Sequence, residues 1–230
     1  MPFRVTELRR YPVKSMGGES VDVVDLDARG IVGDRGLAVV DGEGRLASGK
    51  STRRFRRRDA VFEYRAVSAG DEVRVHGADG SWRAGDPALD EQLSAAMGDP
   101  VQVRPEAGTP HQDAGSVSLI GSATLAWCAR ELGVDADPHR LRVNVVVESD
   151  EPFIEETWVG RTVRIGRAQL QIRERVSRCR MIDLAQDGAA ARQPWLAPLV
   201  QRRDGHAAVY ADVATAGPIA VGDALWPPTD

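Results

Sequence analysis

The chain has 230 residues, 42% of them hydrophobic and 28% charged, and a formal net charge of −4. That length can bury a substantial core, as one large domain or two small ones. The charge gives no global pull toward nucleic acid or an anionic membrane, and no apolar run approaches a membrane span. With only two cysteines, Cys128 and Cys179, neither a disulfide framework nor an iron–sulfur set is available, and a reducing cytoplasm fits best. The first residues, Met1-Pro2-Phe3-Arg4-Val5-Thr6, lack the apolar core of a signal peptide, so no secretory leader is expected.

In chain order, residues 3–13 read as extended, with Phe3, Val5, Tyr11 and Val13 at alternating positions. Lys14-Ser15-Met16-Gly17-Gly18 is a polar turn whose glycines let backbone come close to something. Val21 to Leu26 is a second β-like run, and Gly33-Asp34-Arg35 leads into Leu37 to Val40. Asp41-Gly42-Glu43-Gly44 is a strong hairpin signal, so the N-terminal part is expected to be β-rich. Gly44 to Ser51 matches the phosphate-cradling G-x-x-x-x-G-K-[ST] pattern. A phosphate loop needs an amphipathic helix after it, however, and Thr52 to Asp59 carries five arginines and one apolar residue, Phe55. The match is therefore expected to be coincidence in a hairpin. The arginine run reads as a solvated face, with an anionic cofactor tail or an acidic redox partner as the alternatives.

Val61 to Val67 and Glu72 to Val75 resume the β alternation. Asp86 to Gly98 predicts a short helix with an aspartate cap, Pro87 at its first position and a glycine stop, burying Leu89, Leu93, Ala96 and Met97. Ser122 to Leu132 predicts a second helix ended by Gly133, with Cys128 on its core face beside Leu125, Ala129 and Leu132. Leu141 to Glu148 predicts a strand on which Arg142 and Asn144 share one face, either a wet edge or a ligand-facing pair. Runs at 163–165 and 168–172 read as a hairpin that delivers the chain to Cys179, and 207–213 and 217–223 as closing strands.

Around Cys179 stand four arginines, Arg173, Arg175, Arg178 and Arg180. Nearby cations favour a thiolate, which suits a soft-metal ligand or a nucleophile; the plainer alternative is a small hydrophobe at a strand end. His76, His111, His139 and His206 are scattered without zinc spacing, and no nucleophile elbow or dinucleotide fingerprint occurs. Cys179 therefore carries the functional expectation.

Several ordered motifs resemble the MOSC family, named for the molybdenum cofactor sulfurase C-terminal domain, together with its N-terminal β-barrel partner. These are Tyr11-Pro12-Val13-Lys14-Ser15, Gly33-Asp34-Arg35, Arg140 to Val147, Pro152-Phe153 with Glu155-Glu156 and Trp158, Ser177-Arg178-Cys179, and Ile219 to Asp223. The resemblance implies a mainly β fold with a few helices (α+β): an N-terminal β-barrel-like unit over residues 1–100 packed on a MOSC β-barrel over 101–230. Members such as the mitochondrial amidoxime-reducing component hold molybdopterin between the two halves. By resemblance, Cys179 is the thiolate on molybdenum and the catalytic centre, and Lys14, Ser15, Arg35, Ser116, Arg142, Asn144 and Arg178 bind the molybdenum cofactor; pyridoxal phosphate is not expected. The implied activity is reduction of N-hydroxylated or N-oxide-type small molecules by oxygen-atom transfer. Electrons are expected from a separate ferredoxin- or flavin-reductase-type protein, because no fused ferredoxin domain lies in these residues. The alternative is a non-catalytic carrier of cofactor or sulfur. Two departures stand out: Val143 replaces a proline, and Met181-Ile182-Asp183 replaces a threonine-bearing segment before Asp187-Gly188.

Overall fold

Alternation along Phe3–Arg10 turns Val5 and Leu8 inward, and a bulge between Val5 and Glu7 brings these two residues, three apart, onto one face. The computed structural model describes residues 1–186 and 192–228, so the Asp187-Gly188 pair lies outside the described residues. Phe3–Arg10 pairs antiparallel with Val145–Glu148 on one side and Ala224–Trp226 on the other. From Val145–Glu148 the pairing continues through Val117–Gly121, His206–Thr215, Ala168–Ser177 and Thr162–Ile165 back to Ala224–Trp226. These seven strands close into a barrel. Its interior holds Leu119, Val145, Val163, Leu170, Val209 and Leu225 beside Val5 and Leu8. Burying each such side chain contributes about 1.5–3 kcal/mol.

A second core lies under the N-terminal sheets. Leu37–Asp41 pairs with Leu46–Ser48 across the expected hairpin, where the Gly44 N–H donates to the Asp41 carbonyl at 2.9 Å. Leu46–Ser48 then runs parallel to Phe55–Arg57. No helix starts at Lys50-Ser51, where strand Phe55–Arg57 comes next, so the phosphate-loop pattern lacks its structural context. The strands Arg65–Ala69, Glu72–Gly77 and Gly80–Arg83 form a separate three-stranded sheet. Helix Pro87–Met97 buries Leu89 and Leu93 and ends at Gly98, as its sequence predicts. Ala96 is exposed, however, and the Asp86 side chain makes no capping bond. Gly18 is required by a close approach. A Cβ there would lie 2.4 Å from the Arg10 carbonyl oxygen and 2.6 Å from the Tyr11 ring.

The expected boundary at 100/101 falls between helix Pro87–Met97 and strand Val101–Pro105, yet that strand pairs with Leu37–Asp41. Phe3–Arg10 belongs to the C-terminal barrel, and Val23–Asp27 pairs with Gly217–Ala220. The pairing interleaves the halves because sheet closure is decided by non-local partners, which local alternation cannot identify.

Helix Ser122–Leu132 has the expected limits and buries Cys128. Burial pushes that thiol's pKa up to about 12, which makes Cys128 a packing residue. The strand expected from Leu141 begins only at Val145. Pro138 at the first helical position, capped by the Asp137 side chain accepting from the His139 N–H at 2.9 Å, starts a one-turn helix over Pro138–Leu141. Arg142 ends it in the left-handed region at φ 52°, so Arg142 and Asn144 do not share a strand face.

Candidate functional site

Cys179 follows strand Ala168–Ser177 and precedes a short 3-10 turn, Arg180–Asp183. The four neighbouring arginines do not converge on its thiol. Arg173 pairs with Asp212 at 2.7 Å, and Arg175 approaches Glu156 at 3.8 Å. Arg180 grips Asp59 at 2.9 and 3.0 Å and donates to the Gly49 carbonyl at 2.6 Å. Arg178 behaves differently. Its Nε donates to the Ala207 carbonyl at 2.8 Å and its Nη1 to the Leu141 carbonyl at 2.6 Å. Its Nη2 is buried with no hydrogen-bond partner among the described residues. Burial lowers the pKa of this guanidinium, the penalty of holding an incompletely compensated cation out of water.

Cys179 and Arg178 open onto a cavity of about 360 Å³ between the N-terminal sheets and the barrel. That volume is in the range of small-molecule and cofactor sites. Arg35, Arg142, Lys50 and Arg54 join them in its lining, and Phe55, Leu141, Val176, Met181 and Ile182 supply apolar wall. Two of these arginines are placed by Tyr11. Its fully buried ring has the Arg142 guanidinium 4.3 Å and the Arg35 guanidinium 5.0 Å from its centre. Arg35 also pairs with Asp34 and donates through Nη2 to the Arg142 carbonyl at 3.2 Å. Burial alone would depress the Arg35 pKa, but Asp34, Asp113 and Tyr11 together outweigh it and raise the value.

Lys14 reaches this cavity indirectly, through a 2.9 Å ion pair with Asp113, which lines it. Burial brings the Lys14 pKa down to about 8 despite that carboxylate. Burial would raise the Asp113 pKa, but Lys14 and Arg35 hold it below the usual carboxylate range. Since 39% of the Asp113 side chain is open to solvent, the short contact to Lys14 carries this coupling rather than desolvation. Tyr210 also lines the cavity, its phenol pKa raised by burial and by Asp113.

Of the eight residues expected to form the site, Cys179, Arg35, Arg142 and Arg178 are brought together in the cavity wall, with Lys14 one contact behind. The other three lie outside it. The Ser15 hydroxyl donates to the Ala47 carbonyl at 3.0 Å. Asn144 is structural: its Oδ1 accepts from the Ser118 N–H and hydroxyl at 3.1 and 2.9 Å, and its Nδ2 donates to the Arg9 carbonyl at 3.2 Å. Ser116 bonds Asp212 at 3.4 Å, whereas Ser118, two residues along the same strand direction, lines the cavity. Period-two alternation places both serines on one face, so the wall position was within reach of the pattern. Lys50, Arg54 and Asp113 are wall residues outside the expected site set. The signal for the first two was the basic run around Phe55, for which an anionic cofactor tail was one alternative; Asp113 had none.

The architecture is a seven-strand barrel with an N-terminal β unit and a cavity between them that pairs one thiol with a cationic wall. A family model for the MOSC domain matches residues 75–226, and one for the MOSC N-terminal β-barrel domain matches residues 2–81. The chain belongs to the MOSC domain family. That family is associated with molybdenum-cofactor binding. Among solved structures, the chain resembles YuaD from Bacillus subtilis at 17% identity, with 98% of this chain and 94% of that one covered and a TM-score of 0.56. It also resembles YiiM from Escherichia coli at 14% identity, covering 100% of this chain and 71% of that one, with a TM-score of 0.47. At 17% identity the likeness to YuaD concerns the fold. No curated protein matches the chain significantly. The wall of this MOSC cavity suits an anionic, metal-bearing pterin: the unpartnered Arg178 Nη2 and the Tyr11-mounted arginines provide donors, and Cys179 is a soft ligand. Among the described residues no helix is long and apolar enough to cross a membrane.

Proposed function

We propose that the protein is a molybdenum-cofactor-binding oxidoreductase acting on N-hydroxylated or N-oxide-type small molecules. The observation that carries this reading is the convergence of one cysteine thiol and a surplus of cationic donors on a single cavity. Cys179 would be the metal's protein ligand. Arg35, Arg142 and Arg178, with Lys14 behind them, would hold the phosphate and the pterin oxygens. When bound, the cofactor supplies two-electron oxygen-atom-transfer chemistry. The chain's own work is to bind, orient and shield. Tyr11 holds Arg35 and Arg142, and the apolar wall of Phe55, Leu141 and Val176 limits water on the thiol side. Electrons would come from a separate ferredoxin- or flavin-reductase-type donor.

A carrier of cofactor or sulfur is the second reading, and one observation favours it. The segment after Cys179 is tied to the N-terminal unit by Arg180, and it presents Met181 and Ile182, which offer no proton-handling group beside the thiol. The deciding experiment is to purify wild type and Cys179→Ser from a cofactor-competent host and measure molybdenum and pterin. The oxidoreductase reading expects metal and pterin in wild type, loss of metal in Cys179→Ser, and amidoxime reduction by the wild type with a chemical reductant. Wild type without molybdenum would sink both cofactor readings. Molybdenum without amidoxime reduction would favour the carrier or a different substrate.

A further inference from the structure

Around the ring of Phe55 the structure gathers three cations: Lys14 Nζ lies 5.3 Å from the ring centre, Lys50 Nζ 5.0 Å and Arg54 Cζ 4.5 Å. Phe55 is 6% exposed, so this gathering is part of the built wall rather than a loose surface encounter. Lys14 and Lys50, with Arg35, act together on a single carboxylate, Asp113. Asp113 takes Lys14 at 2.9 Å, while Arg54 stands off at 3.9 Å. Arg54 Nη2 donates to the Gln112 carbonyl, but its Nε is buried without a hydrogen-bond partner among the described residues. No carboxylate among the described residues pairs with Lys50. Asp34 compensates Arg35, so one remaining negative charge serves three cations.

Like charges gathered around one ring repel one another, and more strongly where water is partly excluded. A fold retains such a cluster at lower cost when an anion occupies it. Asp113 is a poor permanent occupant: it sits in the connection between strands Val101–Pro105 and Val117–Gly121, which has no helix or strand of its own, and it is 39% exposed. A phosphate monoester brings close to two negative charges and three acceptor oxygens to the same donors, which satisfies them better than one carboxylate.

We propose that Lys50 and Arg54 join Lys14 and Arg35 in a subsite for a phosphate monoester dianion, and that Asp113 is the internal counterion which that ligand displaces. This deepens the cofactor reading for the same cavity and rests on it for the source of the phosphate. It takes up, for the basic stretch at 50–54, the anionic-tail alternative over the solvated face and adds Asp113 as the counterion.

The test titrates cofactor-free full-length protein with inorganic phosphate by calorimetry at constant ionic strength. Wild type is compared with Asp113→Asn, Lys50→Ala and Arg54→Ala, and with Arg53→Ala as an exposed-charge control outside the cavity wall. Asp113→Asn is expected to bind phosphate about tenfold more tightly, since the competing charge is gone. Lys50→Ala and Arg54→Ala are each expected to bind about tenfold more weakly, and Arg53→Ala within about twofold of wild type. Circular dichroism checks the fold of the alanine variants. Asp113→Asn alters one partly exposed group isosterically, so it decides the matter alone if they unfold. Equal or weaker phosphate binding by Asp113→Asn overturns the proposal, as does an Arg53→Ala effect as large as that of Lys50→Ala. Protein loaded in a cofactor-competent host is titrated in parallel. Failure to take up free phosphate there places the cofactor's own phosphate in the subsite, and unchanged uptake identifies a free anion as the ligand, both in keeping with the subsite. Because this readout needs no molybdenum, the proposal can fail while the oxidoreductase reading stands, and the reverse.

Discussion

Replacing Tyr11 tests whether one buried ring places the cationic wall. The ring is fully buried, with Arg142 and Arg35 stacked at 4.3 and 5.0 Å. Its hydroxyl accepts from Arg9 Nε at 3.3 Å and donates to the Val143 carbonyl at 3.4 Å. Tyr11→Phe keeps the ring and removes only the hydroxyl, whose two long hydrogen bonds are together worth about 1–2 kcal/mol. Tyr11→Leu also removes three cation–ring contacts, the third from Arg9 at 5.6 Å, at about 0.5–2 kcal/mol each, and leaves unfilled volume, for a total of more than about 3 kcal/mol. Urea unfolding measures both, and a lower midpoint at an unchanged slope identifies a loss of stability. Phosphate titration then separates stability from placement. Tyr11→Phe should bind within about twofold of wild type, whereas Tyr11→Leu, whose two guanidinium groups lose their platform, should bind about tenfold more weakly. If Tyr11→Leu is destabilised yet binds phosphate like wild type, the arginines are placed by their backbone and by the Arg35–Arg142 bond, and the platform argument is refuted.

Lys14 gives a pH dependence. With its pKa brought down to about 8 by burial, Lys14 is cationic below that pH and neutral above it, so anion binding should fall by up to tenfold per pH unit from about pH 8 to 10. The groups facing it are Asp113, Arg35 and Arg54, all of fixed charge in this range, and His111, whose pKa is lowered by burial and which is therefore neutral. Lys14→Arg should flatten the profile, and a wild-type affinity that does not change between pH 7 and 10 would remove Lys14 from the site. Gly18→Ala should cost about 2–3 kcal/mol in urea unfolding, since its Cβ would meet the Arg10 carbonyl at 2.4 Å and the Tyr11 ring at 2.6 Å. A loss below about 0.5 kcal/mol would mean that this turn is not held against the ring.

What the sequence made legible was local. Pro87 with Gly98, Ser122 with Gly133, and the Asp41–Gly44 turn each act through their own backbone, and all were observed where the residues predicted them. Cys128 followed from the spacing of one helix face. The errors share a different physics. Arg142 and Asn144 were assigned to one strand because their apolar neighbours alternate, but Asp137 and Pro138 start a helical turn that ends on Arg142, and a cap of that kind overrides alternation. The arginines near Cys179 suggested a positive shell around the thiol; in three dimensions three of them reach Asp212, Glu156 and Asp59, residues far away in sequence.

Gly49 draws these strands of argument together. A Cβ at Gly49 would lie 2.8 Å from Met181 Cγ, and the Gly49 carbonyl accepts from Arg180. The glycine that completes the phosphate-loop pattern is therefore needed where the segment after Cys179 crosses the N-terminal unit, and no phosphate has to be invoked for it. That crossing has a consequence for the site. It holds Lys50 and Arg54 on the N-terminal unit at the same cavity as Cys179 and Arg178 on the barrel, so the thiol and part of the cationic wall come from different units. Neither unit carries a complete wall. The cavity thus depends on the packing between Gly49 and Met181 as much as on the charged residues, and that packing is a contact between residues more than a hundred apart in the chain.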